Sequence, residues 1–181
     1  VNVIFGIEAL NMTSNENENI IETPFGEIKT KNTIIATNGF AKNWITEDIL
    51  PARAQVLITN EIPDLKIRGT FHFDKGYYYF RNVGNRVLLG GGRNLDILGE
   101  TTEEFGLSNQ IQLQLKNLLE NVILPSNSFK IEDSWSGIMG VGKTKSPIIK
   151  KINNNTAIGV RMGGMGVAIG SQVGKKLADL F

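Results

Sequence analysis

Ala157-Ile-Gly-Val-Arg161-Met-Gly-Gly-Met-Gly166-Val-Ala-Ile-Gly-Ser-Gln-Val173-Gly-Lys-Lys-Leu177-Ala-Asp-Leu-Phe181 reads as strand, glycine-rich turn and helix in direct succession. Ala157 to Val160 is a short apolar strand, and Gly163, Gly164 and Gly166 make the turn. The apolar residues Val167, Ile169, Val173, Leu177 and Leu180 then recur at helical spacing, which predicts one buried face. A turn of this kind leaves backbone N–H groups unpaired at the positive end of a helix, an arrangement suited to an electron-rich ligand. Glycines also permit tight turns and close helix–sheet packing with no ligand at all, so spacing alone leaves both readings open.

Working outward, the chain alternates turn signals with short β-rich runs. Val1 to Ile7 reads as a strand and Glu8 to Asn19 as a polar loop. Ile20–Thr23 and Glu27–Lys29 flank the turn Pro24-Phe25-Gly26, and Asn32 to Gly39 is a buried strand ending in small residues. Arg53–Thr59, Gly69–Phe73, Tyr77–Arg81 and Arg86–Gly90 predict a mainly antiparallel sheet, followed by Gly90 to Asp96 as a flexible loop. Ser108 is placed to cap a helix reaching about Val122, with Ile111, Leu115, Leu118 and Leu119 as its apolar stripe. Phe129–Ile138 is one more strand, and Ile148–Ile152 and Ala157–Val160 form a hairpin around Asn153-Asn-Asn155.

Composition narrows the functional classes. The 181 residues are 41% hydrophobic, with mean hydropathy near zero, as expected of a globular protein with a sizeable core. Nineteen basic and eighteen acidic residues give a net charge of +1 without long like-charged runs, which disfavours nucleic acid or an anionic membrane as partner. The absence of Cys excludes disulfides, thiolate metal sites and attachment of a cofactor through sulfur, and one histidine, His72, gives little material for a metal site or a catalytic triad. No metal site is expected. No signal peptide or long apolar run is visible, so the expected location is cytoplasmic. The start at Val1, inside a strand pattern, reads as a piece of a longer protein.

Gly137-Ile-Met-Gly-Val-Gly-Lys-Thr144 satisfies the phosphate-loop pattern GxxxxGK[ST]. The pattern requires a helix directly after it. Here Pro147 and the three asparagines 153–155 forbid one, so the nucleotide-binding reading is set aside.

Five segments, in order, resemble the C-terminal portion of the flavin-dependent amine oxidases that include D-amino-acid oxidase, glycine oxidase and sarcosine oxidase. Thr33-Ile-Ile-Ala-Thr-Asn-Gly39 is similar to the strand and small-residue turn leading out of the FAD domain. Pro51-Ala-Arg-Ala-Gln-Val-Leu57 is similar to the "PxRGQvl" segment opening the substrate domain. Trp135-Ser-Gly-Ile-Met-Gly140 and Thr144-Lys-Ser-Pro147 resemble "WxGxRP" and "TxDxxP", and Gly163-Gly-Met-Gly-Val167 resembles the "GHGxxG" turn that opens the last helix.

The resemblance implies an α+β fold with three segments. Residues 1–50 would belong to the FAD-binding domain, 51–135 would form the substrate domain sheet with its covering helix, and 136–181 would complete the FAD-binding domain. It implies non-covalent FAD, held through Thr37, Gly39, Gly137, Ile138, Gly163, Gly164, Met165, Gly166 and Val167. The activity implied is oxidation of a C–N bond in a small-molecule amine or amino acid, with a hydride delivered to the flavin N5. Tyr79 and Arg81 share one strand face at period 2 and, by resemblance, would bind a substrate carboxylate, with Arg161 as a further substrate candidate. No catalytic residue is singled out.

Two departures from the family pattern matter. The GxGxxG segment that holds the ADP half of FAD is absent from this sequence, so the chain alone is expected to be inactive and to self-associate through exposed apolar surface. Met139 stands where glycine oxidase-like members place a substrate-binding arginine. A non-catalytic β-rich binding module is the alternative from another class.

Overall fold

A computed structural model describes residues 2–181. In chain order the strands are β1 (Asn11–Ser14), β2 (Asn19–Thr23), β3 (Gly26–Thr30), β4 (Thr33–Ile35), β5 (Leu50–Thr59), β6 (Thr70–Phe73), β7 (Tyr78–Val83), β8 (Arg86–Gly91), β9 (Ile131–Val141), β10 (Ile148–Lys151) and β11 (Thr156–Val160). The helices are α1 (Asn109–Leu118) and α2 (Gly166–Ala178), and a π-helical turn, Leu119–Ile123, continues α1. This is an α+β fold of mostly antiparallel strands. It divides into two compact units, the first made of the chain up to Ile49 together with Gly140–Phe181, the second of Leu50–Met139.

In the first unit β1, β2 and β3 form an antiparallel meander, and β10, β11 and β4 form a second small sheet. β10 and β11 are a hairpin, as the three asparagines predict, whereas β11 lies parallel to β4 with Thr156, Ala157 and Ile158 opposite Thr33, Ile34 and Ile35. α2 packs Val173 and Leu177 onto Ala157, with Ile149, Met162, Ile169 and Leu180 around them. Gly159 is what lets the helix come so close, because a Cβ there would overlap the Leu177 side chain.

One buried polar side chain ties the two sheets together. Asn19, fully buried at the start of β2, donates through Nδ2 to Thr33 Oγ1 (2.9 Å) and to the Asn155 carbonyl (3.0 Å). Its Oδ1 accepts from Ser14 Oγ (2.6 Å) and Thr156 Oγ1 (3.2 Å). All four hydrogen-bonding positions of the amide are satisfied, as burial requires.

The second unit is a five-stranded sheet in the order β6-β7-β8-β5-β9, with α1 against one face. Leu57, Tyr78, Val87 and Leu89 from the sheet meet Ile111, Leu115 and Leu119 from the helix and its π-turn. The stripe expected on this helix is therefore the buried one. Ser108 sits at the expected cap position in extended conformation, but its side chain makes no cap bond. Its own N–H donates instead to Gln55 Oε1 (2.9 Å).

Other expectations are corrected. The Val1–Ile7 strand does not form among the described residues, and Val1 itself lies outside them; residues 2–10 leave Val3, Ile4 and Phe5 exposed, and the first strand appears within the supposed loop, at Asn11. The glycines after β8 are not a flexible loop either. Gly90 and Gly91 are buried strand residues, and a Cβ on Gly91, at φ 126°, would run into the Tyr77 carbonyl. Val167 is fully exposed, because it stands two residues, or about 200°, from Ile169 on the helical wheel. Among the described residues no helix is long and apolar enough to cross a membrane.

Candidate functional site

In the first unit, the two strands that run parallel end in the two turns singled out by sequence. β4 leads into Thr37-Asn38-Gly39 and a 3-10 turn (Asn38–Asn43), and β11 leads into Arg161–Met165 and α2. Carboxyl ends of adjacent parallel strands are a common place for ligands in sheets with crossover connections. A hydrogen bond joins the turns: the Met162 N–H donates to Asn38 Oδ1 at 3.2 Å. Gly39 is buried and Thr37 is exposed.

The helix turn separates into engaged and unengaged amides. The Gly163 N–H donates to the Gly140 carbonyl (2.9 Å) and the Met165 N–H to the Met162 carbonyl (2.8 Å). The N–H groups of Gly164, Gly166 and Val167 donate to nothing among the described residues. They sit at the positive end of a 13-residue helix. Gly163 and Gly164 are left-handed (φ 55° and 83°), and a Cβ on Gly163 would meet no atom within 4 Å, so the outer side of the turn is open. Gly163 thus contributes shape and room rather than a free donor.

Arg161 is also left-handed, at φ 63°, and its guanidinium already has partners. Nη1 donates to the Asp48 carbonyl (2.8 Å) and lies 3.6 Å from Asp48 Oδ2, while Nε donates to the Ser146 carbonyl (3.0 Å). Asp48 Oδ2 accepts in addition from the Lys143 N–H at 2.6 Å.

The second unit carries Tyr79 and Arg81 on the sheet face opposite α1, because the alternate residues Tyr78 and Phe80 pack with the helix-side core. Across the sheet Tyr79 stands opposite His72 on β6 and Gly90 on β8, with Val56 of β5 beyond, and Arg81 stands opposite Thr70 and Leu88. Gly90 makes the floor for the Tyr79 ring: a Cβ there would fall 2.5 Å from both Tyr79 Oη and Val56 Cγ1. Burial pushes the Tyr79 phenol above its ordinary 10.0, so the hydroxyl stays protonated near neutrality and can donate. Neither the Tyr79 hydroxyl nor the exposed Arg81 guanidinium has a hydrogen-bond or ion-pair partner among the described residues. His72 is exposed, its ring centroid 6.2 Å from that of Tyr79.

Arg53 and Gln55 of the "PxRGQ"-like segment are engaged within this unit. Glu100, 1% exposed, receives two bonds from Arg53, Nε to Oε2 (3.0 Å) and Nη2 to Oε1 (2.8 Å), and a third from Gln55 Nε2 (2.9 Å). The Glu100 carboxylate, which bonds the guanidinium, is the first cause that raises the already high pKa of Arg53. Sequence reasoning missed Glu100, although an arginine and a glutamine on the same strand face as buried Leu57 signal a buried acid.

Gly137 and Ile138 lie within β9, and Gly137 is exposed, in open space where a Cβ would meet no atom within 4 Å. The phosphate-loop pattern is therefore mostly strand, followed by a turn and by β10 instead of a helix. Among the described residues no group of three or more His, Cys, Asp or Glu is placed to hold a metal ion.

The sequence matches the family model described as FAD dependent oxidoreductase over residues 1–180. The chain belongs to this family. Members depend on FAD, and the unengaged amides of Gly164, Gly166 and Val167 beside an open turn fit a flavin whose ring becomes more negative on reduction. Among solved structures, L-proline dehydrogenase from P. horikoshii matches with a TM-score of 0.77 and 21% identity, covering 96% of this chain and 49% of that one. Glycine oxidase from Geobacillus kaustophilus matches with a TM-score of 0.78 and 16% identity, over 96% and 47%. L-amino acid deaminase from Proteus vulgaris, with its specific insertion deleted, gives a TM-score of 0.70 and 20% identity, over 96% and 45%. The chain thus spans about half the length of these structures, and at such identities they establish the fold alone. No curated protein matches the sequence.

Proposed function

We propose that the full-length protein oxidises the C–N bond of an amine or amino acid. The observation that carries this reading is the set of free amides at Gly164, Gly166 and Val167, in a chain whose family is FAD-dependent. On this reading the first unit is the C-terminal part of the FAD-binding domain and the second is the substrate domain. Bound non-covalently, the flavin supplies the hydride acceptor, at N5, for conversion of the amine to an imine.

This chain's own groups bind and orient. Gly164, Gly166 and Val167 would donate backbone hydrogen bonds to the flavin ring, with Thr37, Gly39, Gly163 and Met165 beside them in the first unit, while Gly137 and Ile138, strand residues of the second unit, would be separate candidates for backbone contact. Tyr79 donates its hydroxyl to a substrate carboxylate and Arg81 supplies the charge, with Gly90 leaving space beneath. We assign Arg161 to the turn rather than to substrate, because its guanidinium is held by Asp48 and Ser146. The substrate is a small molecule, and we place the reaction in the cytoplasm.

The test is the absorbance spectrum of the full-length protein, purified without added cofactor and scanned from about 300 to 550 nm, where oxidised flavin absorbs. Two flavin bands that bleach anaerobically on adding an amine or amino acid are expected. Arg81→Ala should then raise KM by at least tenfold, the effect of losing one charged hydrogen bond. A folded, colourless protein that takes up no added FAD would overturn the reading in favour of a binding module.

A further inference from the structure

Arg161 occupies a backbone conformation that a residue with a Cβ disfavours, at the point where the chain leaves β11 for the cofactor turn. Glycine would be the ordinary choice there, and the next three residues include two glycines that do adopt it. The arginine side chain is only 14% exposed, held by the Asp48 carbonyl, the Ser146 carbonyl and the Asp48 carboxylate. Room for it comes from Gly142, where a Cβ would lie 2.7 Å from Arg161 Cδ and 2.6 Å from the Asp48 carbonyl oxygen.

Asp48 is the hub. It lies in the segment before β5, its carboxylate accepts the Lys143 N–H from the β9–β10 connection, and it grips Arg161 at the end of β11. Three chain segments therefore meet at one carboxylate. Immediately downstream, the Met162 and Gly163 N–H groups are fixed by Asn38 Oδ1 and the Gly140 carbonyl. Asn38 is itself left-handed, at φ 48°. Both N–H groups at the root of the turn are thus held by the protein, and Gly164, Gly166 and Val167 remain to donate outward.

We propose that Asp48 and Arg161 are positioning residues, a latch that imposes the left-handed step at position 161 and so aims the three free amides at the flavin. The inference rests on the reading that this turn holds FAD. Neither side chain need touch the cofactor. What the latch supplies is backbone direction, and that makes a distinctive demand on substitutions: a glycine takes the left-handed step unaided, whereas an alanine neither favours it nor can be latched.

The experiment uses the full-length protein with Arg161→Ala, Arg161→Gly, Asp48→Asn and the double variant Arg161→Gly/Asp48→Asn. The readouts are the FAD dissociation constant of the apoprotein, the flavin midpoint potential, and hydrogen exchange of the 162–167 amides without cofactor. Arg161→Ala should weaken FAD binding about tenfold, lower the potential and speed exchange across the turn. Arg161→Gly should stay within about threefold of the wild type in FAD affinity. Asp48→Asn should weaken binding when arginine is present and add little on top of Arg161→Gly. Equal losses in Arg161→Gly and Arg161→Ala, or wild-type affinity and potential in both, would overturn the proposal. A wild-type protein that binds no FAD would instead remove the reading of the turn, and this proposal with it.

Discussion

Asn19 illustrates how one side chain can define the packing of two sheets. Its amide satisfies Ser14, Thr33, Asn155 and Thr156 together, and no apolar side chain of similar volume can do so. Asn19→Ala removes all four of these hydrogen bonds and leaves the buried Thr156 hydroxyl without its Asn19 acceptor, and should lower stability by about 2–4 kcal/mol in urea unfolding of the purified chain. Tyr79 leads to a second expectation. Desolvation raises its pKa, and that of Tyr78, above 10.0, so the folded chain holds both phenolic protons more tightly than the unfolded chain. Their contribution is complete below about pH 10 and is lost as the pH rises through the folded-state values. Stability measured at steps from about pH 9 to 11 should fall less steeply in Tyr79→Phe than in the wild type. An unchanged slope would mean that the ring is solvated.

At the scale of elements, close backbone approach does what hydrophobic periodicity cannot describe. Gly159 lets α2 lie on β11, and Gly159→Ala drives its new methyl into Leu177 and Val173. We expect a loss of about 1–3 kcal/mol in denaturant unfolding and, in the full-length protein, weaker FAD binding as the helix N-terminus shifts. An increase in stability would show that the helix has slack. The same physics separates what was legible in the sequence from what was not. The strands β2, β3, β6, β7, β8, β10 and β11 were legible because each is a short alternating or apolar run between strong turn residues. The segment before Asn11 has the apolar content of a strand, yet a ladder needs a run of partners, and among the described residues only Leu10 finds one, its N–H donating to the Glu22 carbonyl at 2.9 Å. Gly90 and Gly91 look like a hinge in one dimension; in three, the Tyr79 ring and the Tyr77 carbonyl occupy the space a side chain would need. The strand–turn–helix passage into α2 was legible from its glycines. The partners of Arg161 were not, since Asp48 is 113 residues away and no local pattern ties the two together. Glu100 escaped for the same reason, lying 47 residues from the arginine it binds.

At the scale of the whole molecule, the apolar side chains that remain outside set the behaviour of the chain in solution. Phe5 and Leu98 are each 88% exposed, and Val3, Ile4 and Phe105 are also largely uncovered. We expect the 181-residue chain, made alone, to self-associate, and Ile4→Lys with Phe5→Asp to shift it toward monomer in sedimentation velocity. Concentration-independent monomeric behaviour of the unaltered chain would contradict this. The interrupted first unit has a consequence of another kind, for a chain emerging from a ribosome. Asn38 and Met162, whose hydrogen bond joins the turns after β4 and β11, are 124 residues apart, and β4 has its parallel neighbour only when β11 appears. At about 5–20 residues per second, Asn38 waits roughly 6–25 s for its partner. Leu50–Met139 is meanwhile complete and free to fold. A nascent chain should therefore acquire its sheet-and-helix unit first, and it cannot join the turn after β4 to the turn after β11 until the glycine turn and the helix behind it have been translated.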